Sequence, residues 1–321
     1  MQSFDELSKK FADYFSRSHF PAQPATLYEP NNYFLSLGGK RLRPLLCLMG
    51  NELFGEIKAD AWNVATAIEL FHNFTLIHDD IMDKAPLRRG KPTVHHQYGE
   101  STAILAGDVM LVKAYDYINQ LSPVYISRIL HIFNKTAREV CEGQQLDMDF
   151  ETRNDVSFDE YLHMITLKTS VLLAASLQMG GILGGADEQN LELLYQFGLK
   201  IGLAFQMQDD YLDAFGDPKK FGKQPGGDIL ANKKTFLLIK TLEIVNDTQR
   251  SELQHLLATN EADKVQRVLQ LYNDCKIGEW AKEQKEVYLT QALTHIDEIP
   301  IAPERKQPLK DLAGLLVKRD Y

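Results

Sequence analysis

Two aspartate clusters stand far apart in the sequence, and each ends a long apolar run. FTLIHDDIMD and AFQMQDDYLD share the arrangement; their carboxylates are Asp79, Asp80 and Asp83 in the first cluster and Asp209, Asp210 and Asp213 in the second. On a helix, the first and last aspartate of each trio lie one turn apart on the same face. Clustered carboxylate oxygens suit Mg²⁺, which keeps water and phosphate oxygens among its ligands. One such cluster equally fits a solvated helix end, whereas two predict facing walls that share metal ions across a cavity.

Basic residues accompany both acidic clusters. They are Lys40, Arg41 and Arg43 in GGKRLRP, Arg88 and Arg89 after the first cluster, and Lys223, Lys233 and Lys234 after the second. Any one of these residues alone would be typical of a solvated surface. A glycine-led loop before a helix, together with guanidinium groups, can grip phosphate oxygens. The combination therefore predicts a diphosphate site in which metal ions neutralise charge on a leaving group.

The overall composition indicates a globular enzyme. The 321 residues are 44% hydrophobic, enough for a sizeable core, and carry a formal net charge of −9. That charge disfavours nucleic acid or an anionic membrane as a general partner, because both attract net positive proteins. The three cysteines are Cys47, Cys141 and Cys275. They are widely spaced and odd in number, which predicts reduced thiols and a cytoplasmic location.

The chain has one stretch long enough to raise the question of a membrane span. Residues 169–186 lack charged side chains but include four glycines and several polar residues. A helix buried inside a helical protein explains these features better than lipid exposure does. The charged N-terminal residues do not resemble a secretory signal. The sequence therefore predicts no transmembrane segment.

Apolar residues recur at intervals of three and four through most of the chain. This period is typical of amphipathic helices, and the alternation expected of strands is nearly absent. Proline and glycine punctuate about ten or more helical segments. Without a long polar linker or a repeat of fixed period, residues 1–321 are predicted to form a single large all-α domain.

The ordered motifs resemble those of the trans-prenyltransferases, the polyprenyl diphosphate synthase family. GGKRLRP, HNFTLIHDDIMD, the RRG of LRRGKPTVH, EGQQLDMDF, the KT of LKTS, FQMQDDYLD and GKQPGGDILANKKT all occur in family order. The resemblance covers residues 38–234 most clearly. It implies the all-α isoprenoid synthase fold with a deep central cavity between helices, a homodimer, and three Mg²⁺ ions per active site.

The resemblance also implies roles for particular residues. Asp79 and Asp83 would bind two metal ions and Asp209 the third, supported by Asp80, Asp210 and Asp213. Isopentenyl diphosphate would be held by Lys40, Arg43, His72 and Arg89, and the allylic diphosphate by Arg88, Lys168, Lys223 and Lys233. The reaction centre would be lined by Gln144, Asp147, Thr169 and Gln206. From the residues alone, His72 is more typical of a satisfied core histidine.

The implied reaction is dissociative. The allylic diphosphate leaves, the isopentenyl double bond attacks the carbocation, and a proton is lost, so no side-chain nucleophile is required and water must be excluded. Phe71, Phe74 and Thr75 are candidates for setting the product length, although Phe71 fits a simple core aromatic equally well. An aromatic residue five positions before the first aspartate resembles short-chain enzymes. We expect geranylgeranyl diphosphate (C20) or farnesyl diphosphate (C15), with a longer-chain synthase as the alternative.

Three other activities share parts of this pattern. A class I terpene cyclase uses similar metal chemistry on one prenyl diphosphate, but its second motif usually mixes Asn, Ser or Thr with Glu. A non-catalytic subunit of a heteromeric synthase can dispense with one acidic cluster, and this chain has both. A metal phosphohydrolase would need a general base for water, and the sequence offers no obvious candidate.

Overall fold

The computed structural model describes residues 1–217, 226–259 and 261–318. Up to the middle of the chain the elements are α1 (Phe4–Phe15), α2 (Ala25–Ser36), α3 (Leu42–Phe54), α4 (Ala59–Met82), β1 (Leu87–Arg88), β2 (Lys91–Pro92), α5 (Val94–Tyr98), α6 (Glu100–Ile118) and α7 (Pro123–Glu151). They continue with α8 (Phe158–Ile165), a π-helical turn (Thr166–Ser170), α9 (Val171–Gly184), α10 (Glu188–Phe215), α11 (Gly227–Leu230), α12 (Phe236–Ile244), α13 (Asp247–Ala258), α14 (Lys264–Asp274), α15 (Ile277–Glu298) and α16 (Pro303–Lys318). Within the described ranges, the only sheet is the antiparallel pair β1–β2, in which Leu87 lies opposite Pro92. The predicted all-α class is confirmed.

Several helices begin where the sequence supplies a cap. Ser3 and Ser157 accept a hydrogen bond from the backbone of a glutamate three residues later, and that glutamate bonds back to the cap residue. Asn246 makes the equivalent box with a glutamine. These reciprocal bonds satisfy amides that the first helical turn leaves without partners.

Contacts divide the chain into two compact units. Unit 1 comprises Met1–Phe133 and Ser176–Leu191. Within it, α4 packs most extensively against α6, and α3 packs against α4. The apolar residues that gave α4 its helical period are buried, including Val64, Ile68 and Phe71. This packing fixes the helix whose last turn carries the first aspartate cluster.

Backbone approach between α3 and α9 depends on glycines. A Cβ at Gly180 would lie 2.0 Å from the carbonyl oxygen of Cys47, and one at Gly50 would lie 2.5 Å from that of Leu177. Neither position has room for a side chain, so both glycines are required for this close packing. The glycines of the uncharged stretch therefore serve helix packing, as the sequence indicated.

Unit 2 comprises Asn134–Ala175 and Glu192–Tyr321. Its core contains an aromatic series in which ring centroids of Tyr161 and Phe236 lie 5.9 Å apart, Phe236 and Trp280 5.6 Å, and Phe158 and Trp280 5.5 Å. Buried aromatic rings of this kind contribute large apolar areas to a core. They pack α8, α12 and α15 together. These helices come from before and after the second acidic cluster in the sequence.

By length and composition, one helical run in the described part of the chain could cross a membrane. It is Phe158–Gly184, and 83% of its most apolar window is buried within the protein. A core helix of a soluble protein passes the same test. The single domain over residues 1–321 and the deep central cavity stay predictions.

Candidate active site

The first aspartate cluster occupies the C-terminal end of α4. Asp80 is only 2% exposed, Asp79 is half-buried, and Asp83 caps the helix in an exposed position. Carboxylates are unfavourable at this end of a helix because its dipole is negative there. Arg88 compensates the negative charge of Asp80, because its Nε donates to both carboxylate oxygens, at 3.0 and 2.8 Å. The short β1–β2 hairpin thus places Arg88, which was predicted to bind the allylic diphosphate, beside the acidic cluster.

The same hairpin brings the RRG and GGKRLRP motifs together. Arg89 has a left-handed backbone (φ 53°), and its guanidinium donates to the carbonyl oxygen of Gly38. A Cβ on Gly39 would come within 2.8 Å of that guanidinium, so glycine leaves the space the arginine uses. Lys40 follows in an exposed position. Two motifs that were predicted to bind a diphosphate therefore lie side by side within unit 1.

Arg43 and His72 form a second contact within unit 1. A terminal guanidinium nitrogen of Arg43 donates to Nε2 of His72 at 3.0 Å. Burial, followed by the charge of Arg43, lowers the pKa of His72 well below its usual range, so the imidazole is neutral at pH 7. Burial lowers the pKa of Arg43 to about 10, which leaves the guanidinium charged. The neutral histidine orients a cation without competing for an anionic ligand.

A neighbouring pair escaped the sequence analysis. Arg41, in the left-handed conformation (φ 51°), forms an ion pair with the buried Glu69, whose carboxylate also accepts from Asn73 at 2.7 Å. Glu69 holds the loop between α2 and α3 against α4. A lone charged residue inside the apolar run of α4 was the signal that could have revealed it.

The candidate chain-length residues differ in their surroundings. Phe71 is fully buried, with ring centroids 5.7 Å from Phe74 and 5.3 Å from Phe133, as a core aromatic would be. Phe74 is half-buried and packs edge-on against His78 at 4.8 Å. Thr75 is half-buried and donates to the carbonyl of His72 at 2.8 Å. Their role in setting product length stays a prediction, and Phe74 is the stronger candidate.

The second aspartate cluster lies in the last two turns of α10, in unit 2. Asp210 is buried and accepts from Tyr161 Oη at 2.7 Å and from Gln206 Nε2 at 2.9 Å. Thr169 Oγ1 donates to Gln206 Oε1 at 3.1 Å and extends the network. Burial and the nearby Asp228 raise the pKa of Asp210 to about 7. Tyr161 was missed, because a tyrosine 49 positions upstream gives no local signal.

Asp213, the third aspartate of this cluster, accepts hydrogen bonds from the backbone at the start of α11. Asp213 Oδ2 accepts from the amide of Asp228 at 2.9 Å, and its carbonyl accepts from the amide of Gly226 at 2.6 Å. Asp209 is half-buried. The cluster therefore contains one residue bound in a network, one that positions backbone, and one that is partly accessible.

A π-helical turn presents Lys168 and Thr169. Single π-turns within helices occur frequently at functional sites, because they rotate side chains out of the regular helical pattern. Lys168 Nζ pairs with Asp147 Oδ2 at 2.5 Å. A Cβ at Gly143 would lie 2.3 Å from the amide nitrogen of Lys168, so α7 approaches the turn only because residue 143 is glycine.

These side chains line one cavity of about 90 Å³ within unit 2. Six predicted site residues contribute to it: Asp147, Lys168, Thr169, Gln206, Asp210 and Lys233. Lys234, from the basic set after the second cluster, also lines the cavity, and the structure adds Tyr161 and Asp228, among others. Residues separated by nearly ninety positions in sequence thus share one small polar space.

Gln144 was predicted to line the reaction centre, and Lys223 to bind the allylic diphosphate. Gln144 is buried on α7, and neither atom of its amide has a hydrogen-bond partner among the described residues. A buried amide without partners costs free energy, which a ligand or water would recover. Lys223 lies outside the described residues.

The two aspartate clusters offer oxygen donors of the kind that Mg²⁺ prefers. Across residues 1–217, 226–259 and 261–318, no group of three or more His, Cys, Asp or Glu side chains forms a metal-binding set. Mg²⁺ is commonly held by one or two carboxylates, with water and substrate phosphates completing the octahedron. Asp79, Asp83 and Asp209, none of them fully buried, fit that partial role. Three Mg²⁺ ions and the facing of the two clusters stay predictions.

Known proteins share this combination of helices and motifs. The model of the polyprenyl synthetase family matches residues 24–275. A geranylgeranyl diphosphate synthase of Methanosarcina mazei is 37% identical over 303 residues, covering 93% of this chain and 91% of the relative. A geranylfarnesyl diphosphate synthase of Natronomonas pharaonis is 37% identical over 318 residues, covering 93% and 92%. A crystal structure of geranylgeranyl pyrophosphate synthase matches with a TM-score of 0.95 at 47% identity, covering 99% of both chains.

The fold and the cation-rich carboxylate sites define the class of protein as a prenyltransferase. The chain belongs to the polyprenyl synthetase family, with short-chain prenyl transfer as its activity. The family resemblance, the isoprenoid synthase fold and the enzyme class predicted from sequence are confirmed.

Proposed function

We propose that this prenyltransferase condenses isopentenyl diphosphate with an allylic diphosphate and releases geranylgeranyl diphosphate. The observation that carries the proposal is the polar cavity of unit 2, where three lysines accompany the oxygen-bearing Thr169–Gln206 pair. Lys168 and Lys233 supply positive charge for an allylic diphosphate. The oxygens of Thr169 and Gln206 supply partial negative charge for the allylic cation that remains when the diphosphate departs.

The second substrate needs a separate anion site, and we assign it to unit 1. Arg43 supports this assignment, because its buried Nε–H has no acceptor among the described residues although the guanidinium is charged. Arg89 and Lys40 add positive charge near the Gly38–Gly39 turn. Isopentenyl diphosphate would satisfy these donors, while Arg88, held by Asp80, would serve the allylic diphosphate.

Magnesium is the proposed cofactor. Bound by Asp79, Asp83 and Asp209, it would neutralise charge on the departing diphosphate. The residues themselves orient the two substrates and exclude water, since water would capture the allylic cation. Asp80, Asp210 and Asp213 hold their neighbours by the hydrogen bonds described above, so we assign them supporting positions.

Geranylgeranyl diphosphate is the proposed product because an aromatic residue, Phe74, precedes the first cluster by five positions. The relatives' names include both geranylgeranyl and geranylfarnesyl diphosphate synthases at equal identity. A longer product is therefore the rival outcome, and farnesyl diphosphate the shorter one.

A homodimer in the cytoplasm completes the proposal. Helix α6 exposes Ile104, Leu105, Val112 and Tyr115, four large apolar side chains along one helix of unit 1. Such an exposed apolar surface is typical of a protein interface. Cys47, Cys141 and Cys275 form no disulfide, which suits a reducing compartment. We also propose that residues 1–321 act as one domain, because α7, α9 and α10 each contribute residues to both units.

The test is a set of incubations with radiolabelled isopentenyl diphosphate, Mg²⁺ and each of dimethylallyl, geranyl and farnesyl diphosphate, with products separated by reversed-phase chromatography. We expect a C20 product that depends on both substrates. Asp209→Asn should lower the rate by at least about a hundredfold, as expected when a charge-stabilising ligand is lost. The matched control is Asp311→Asn, an exposed carboxylate on α16, which should retain wild-type activity.

Three results would contradict the proposal. Cyclic hydrocarbon from geranyl diphosphate alone would indicate a terpene cyclase. Activity only after adding a second protein would indicate a subunit of a heteromeric synthase. Release of phosphate without carbon–carbon bond formation would indicate a phosphohydrolase.

A further inference from the structure

Residues 226–235, here called the cavity-wall segment, form one side of the unit 2 cavity. Asp228, Lys233, Lys234 and Thr235 line the cavity from this segment. Within it, the amide of Lys233 donates to the carbonyl of Asp228 at 3.0 Å. The segment contains only the single turn of α11, so its placement depends on what lies behind it.

The first turn of α14 supports the cavity-wall segment at two points. Lys264 Nζ donates to Asn232 Oδ1 at 2.8 Å and to the carbonyl of Thr259 at 3.3 Å. At the start of the segment, Gly226 has a left-handed backbone (φ +87°), and a Cβ there would lie 2.4 Å from a methyl group of Val265. Two consecutive residues of α14 therefore support both ends of the segment.

Lys264 is 0% exposed, and among the described residues it forms no ion pair. Burial lowers the pKa of its ammonium group. Burying a cation without a counter-charge is unfavourable, and an apolar side chain of similar volume would avoid that penalty. Apolar packing alone therefore gives no reason for lysine at this position. What lysine adds is a directed hydrogen bond to Asn232.

Asn232 transmits this bond to the backbone of the segment. Its amide is oriented at both ends, because Nδ2 donates to the carbonyl of Leu257 at 3.0 Å while Oδ1 accepts from Lys264. Its backbone is left-handed (φ 53°), a conformation that asparagine tolerates better than most residues. Lys233 and Lys234 follow directly, so the position of Asn232 determines where their chains depart.

We propose that Lys264 is a positioning residue for prenyl transfer. Through Asn232 it places Lys233 and Lys234 at the cavity and thereby tunes binding of the allylic diphosphate. The inference rests on the proposed function, since it assumes that Lys233 binds that diphosphate. Lys264 acts through Asn232 rather than by touching the substrate.

The first experiment measures steady-state kinetics of Lys264→Met, which keeps the volume and removes the donor. We expect the KM for the allylic diphosphate to rise about tenfold, because a small misplacement of a binding group has effects of this size. The KM for isopentenyl diphosphate should change less than about twofold. Asn232→Gly removes the acceptor but tolerates the left-handed backbone, and it should reproduce the shift. The double variant should raise this KM by less than the product of the two single effects, because both changes break the Lys264–Asn232 bond.

The matched structural control is Leu271→Ala, a buried change on α14 seven residues beyond Lys264 that leaves the Lys264–Asn232 bond in place. It should lower stability and leave the ratio of the two KM values unchanged. Unchanged KM values in Lys264→Met and Asn232→Gly, or equal rises for both substrates, would overturn the proposal. If Lys264→Met fails to fold, Asn232→Gly alone decides by the same criterion.

The second experiment separates this inference from the proposed function. Hydrogen exchange of the substrate-free protein should show faster exchange of the Lys233 and Thr235 amides in Lys264→Met than in wild type or Leu271→Ala, because these amides are hydrogen-bonded in the segment. Equal exchange in all three proteins would refute the positioning role even if the enzyme is active. Faster exchange in Lys264→Met, together with a wild-type protein that shows no prenyl transfer, would instead refute only the proposed function.

Discussion

Acidification should destabilise the fold through His19, a buried histidine of unit 1. His19 is 6% exposed; its Nδ1 accepts from the hydroxyl of Tyr117 at 2.8 Å and its Nε2 donates to the carbonyl of Phe15 at 2.9 Å. Burial, reinforced by the cations Arg17, Lys113 and Arg41, lowers its pKa from 6.5 to about 4. The folded protein therefore keeps this imidazole neutral at pH 5.

The sign and size of the effect follow from proton linkage. Between pH 6.5 and 4 the unfolded chain binds a proton that the folded chain does not, so the free energy of unfolding decreases as pH falls. The loss is about 2 kcal/mol at pH 5 and approaches about 3 kcal/mol below pH 4, at about 1.4 kcal/mol per pKa unit. Above pH 7 the contribution of His19 to the pH dependence is negligible.

The assay is urea unfolding at pH 7.5 and 5.0, at one protein concentration, for wild type and His19→Gln. Glutamine can still donate to the carbonyl of Phe15 but does not titrate. Subtracting the two pH dependences cancels the other ionisable groups, and wild type should lose about 2 kcal/mol more than His19→Gln. Equal losses in the two proteins would refute the burial argument.

Two further substitutions test the site. Phe74→Ala should lengthen the main product by at least one isoprene unit in the chromatographic assay, because it removes the ring that packs on His78; a wild-type product distribution would exclude Phe74 as a wall. Gly143→Ala should lower kcat by at least about tenfold, because its Cβ would lie 2.3 Å from the amide of Lys168 and must displace the π-helical turn. Gly314→Ala, on α16 with no atom within 4 Å among the described residues, should leave kcat unchanged; equal rates in both alanine variants would show that the close approach at residue 143 is unimportant.

Much of the fold could be predicted because the positions of helices depend on local sequence features. The three- and four-residue period of α4 and α10, the capping sequences and the apolar glycine-containing stretch are local features. The aspartate trios end these helices as expected from the pattern. Helix formation depends mainly on near neighbours and on one buried face, so a linear sequence contains the necessary information.

The candidate site required longer-range information. Tyr161 bonded to Asp210, Glu69 bonded to Arg41, and Lys264 bonded to Asn232 join residues at least 28 positions apart. Residues of these types are also common as ordinary surface or core side chains, so the residue type alone does not reveal the partner. The π-helical turn that presents Lys168 likewise packs closely against a glycine of α7 that lies 25 positions upstream.

By itself, the sequence determined that this protein is helical, acidic and equipped with two carboxylate clusters accompanied by cations. Spacing and residue chemistry suffice for those conclusions because neighbouring positions on a helix have fixed geometry. Only the tertiary structure decided which hydrogen bond orients each group, which glycine admits which backbone, and which lysine lies behind the cavity. Those choices depend on packing between distant segments, where shape and burial select one partner among many of the same chemical type.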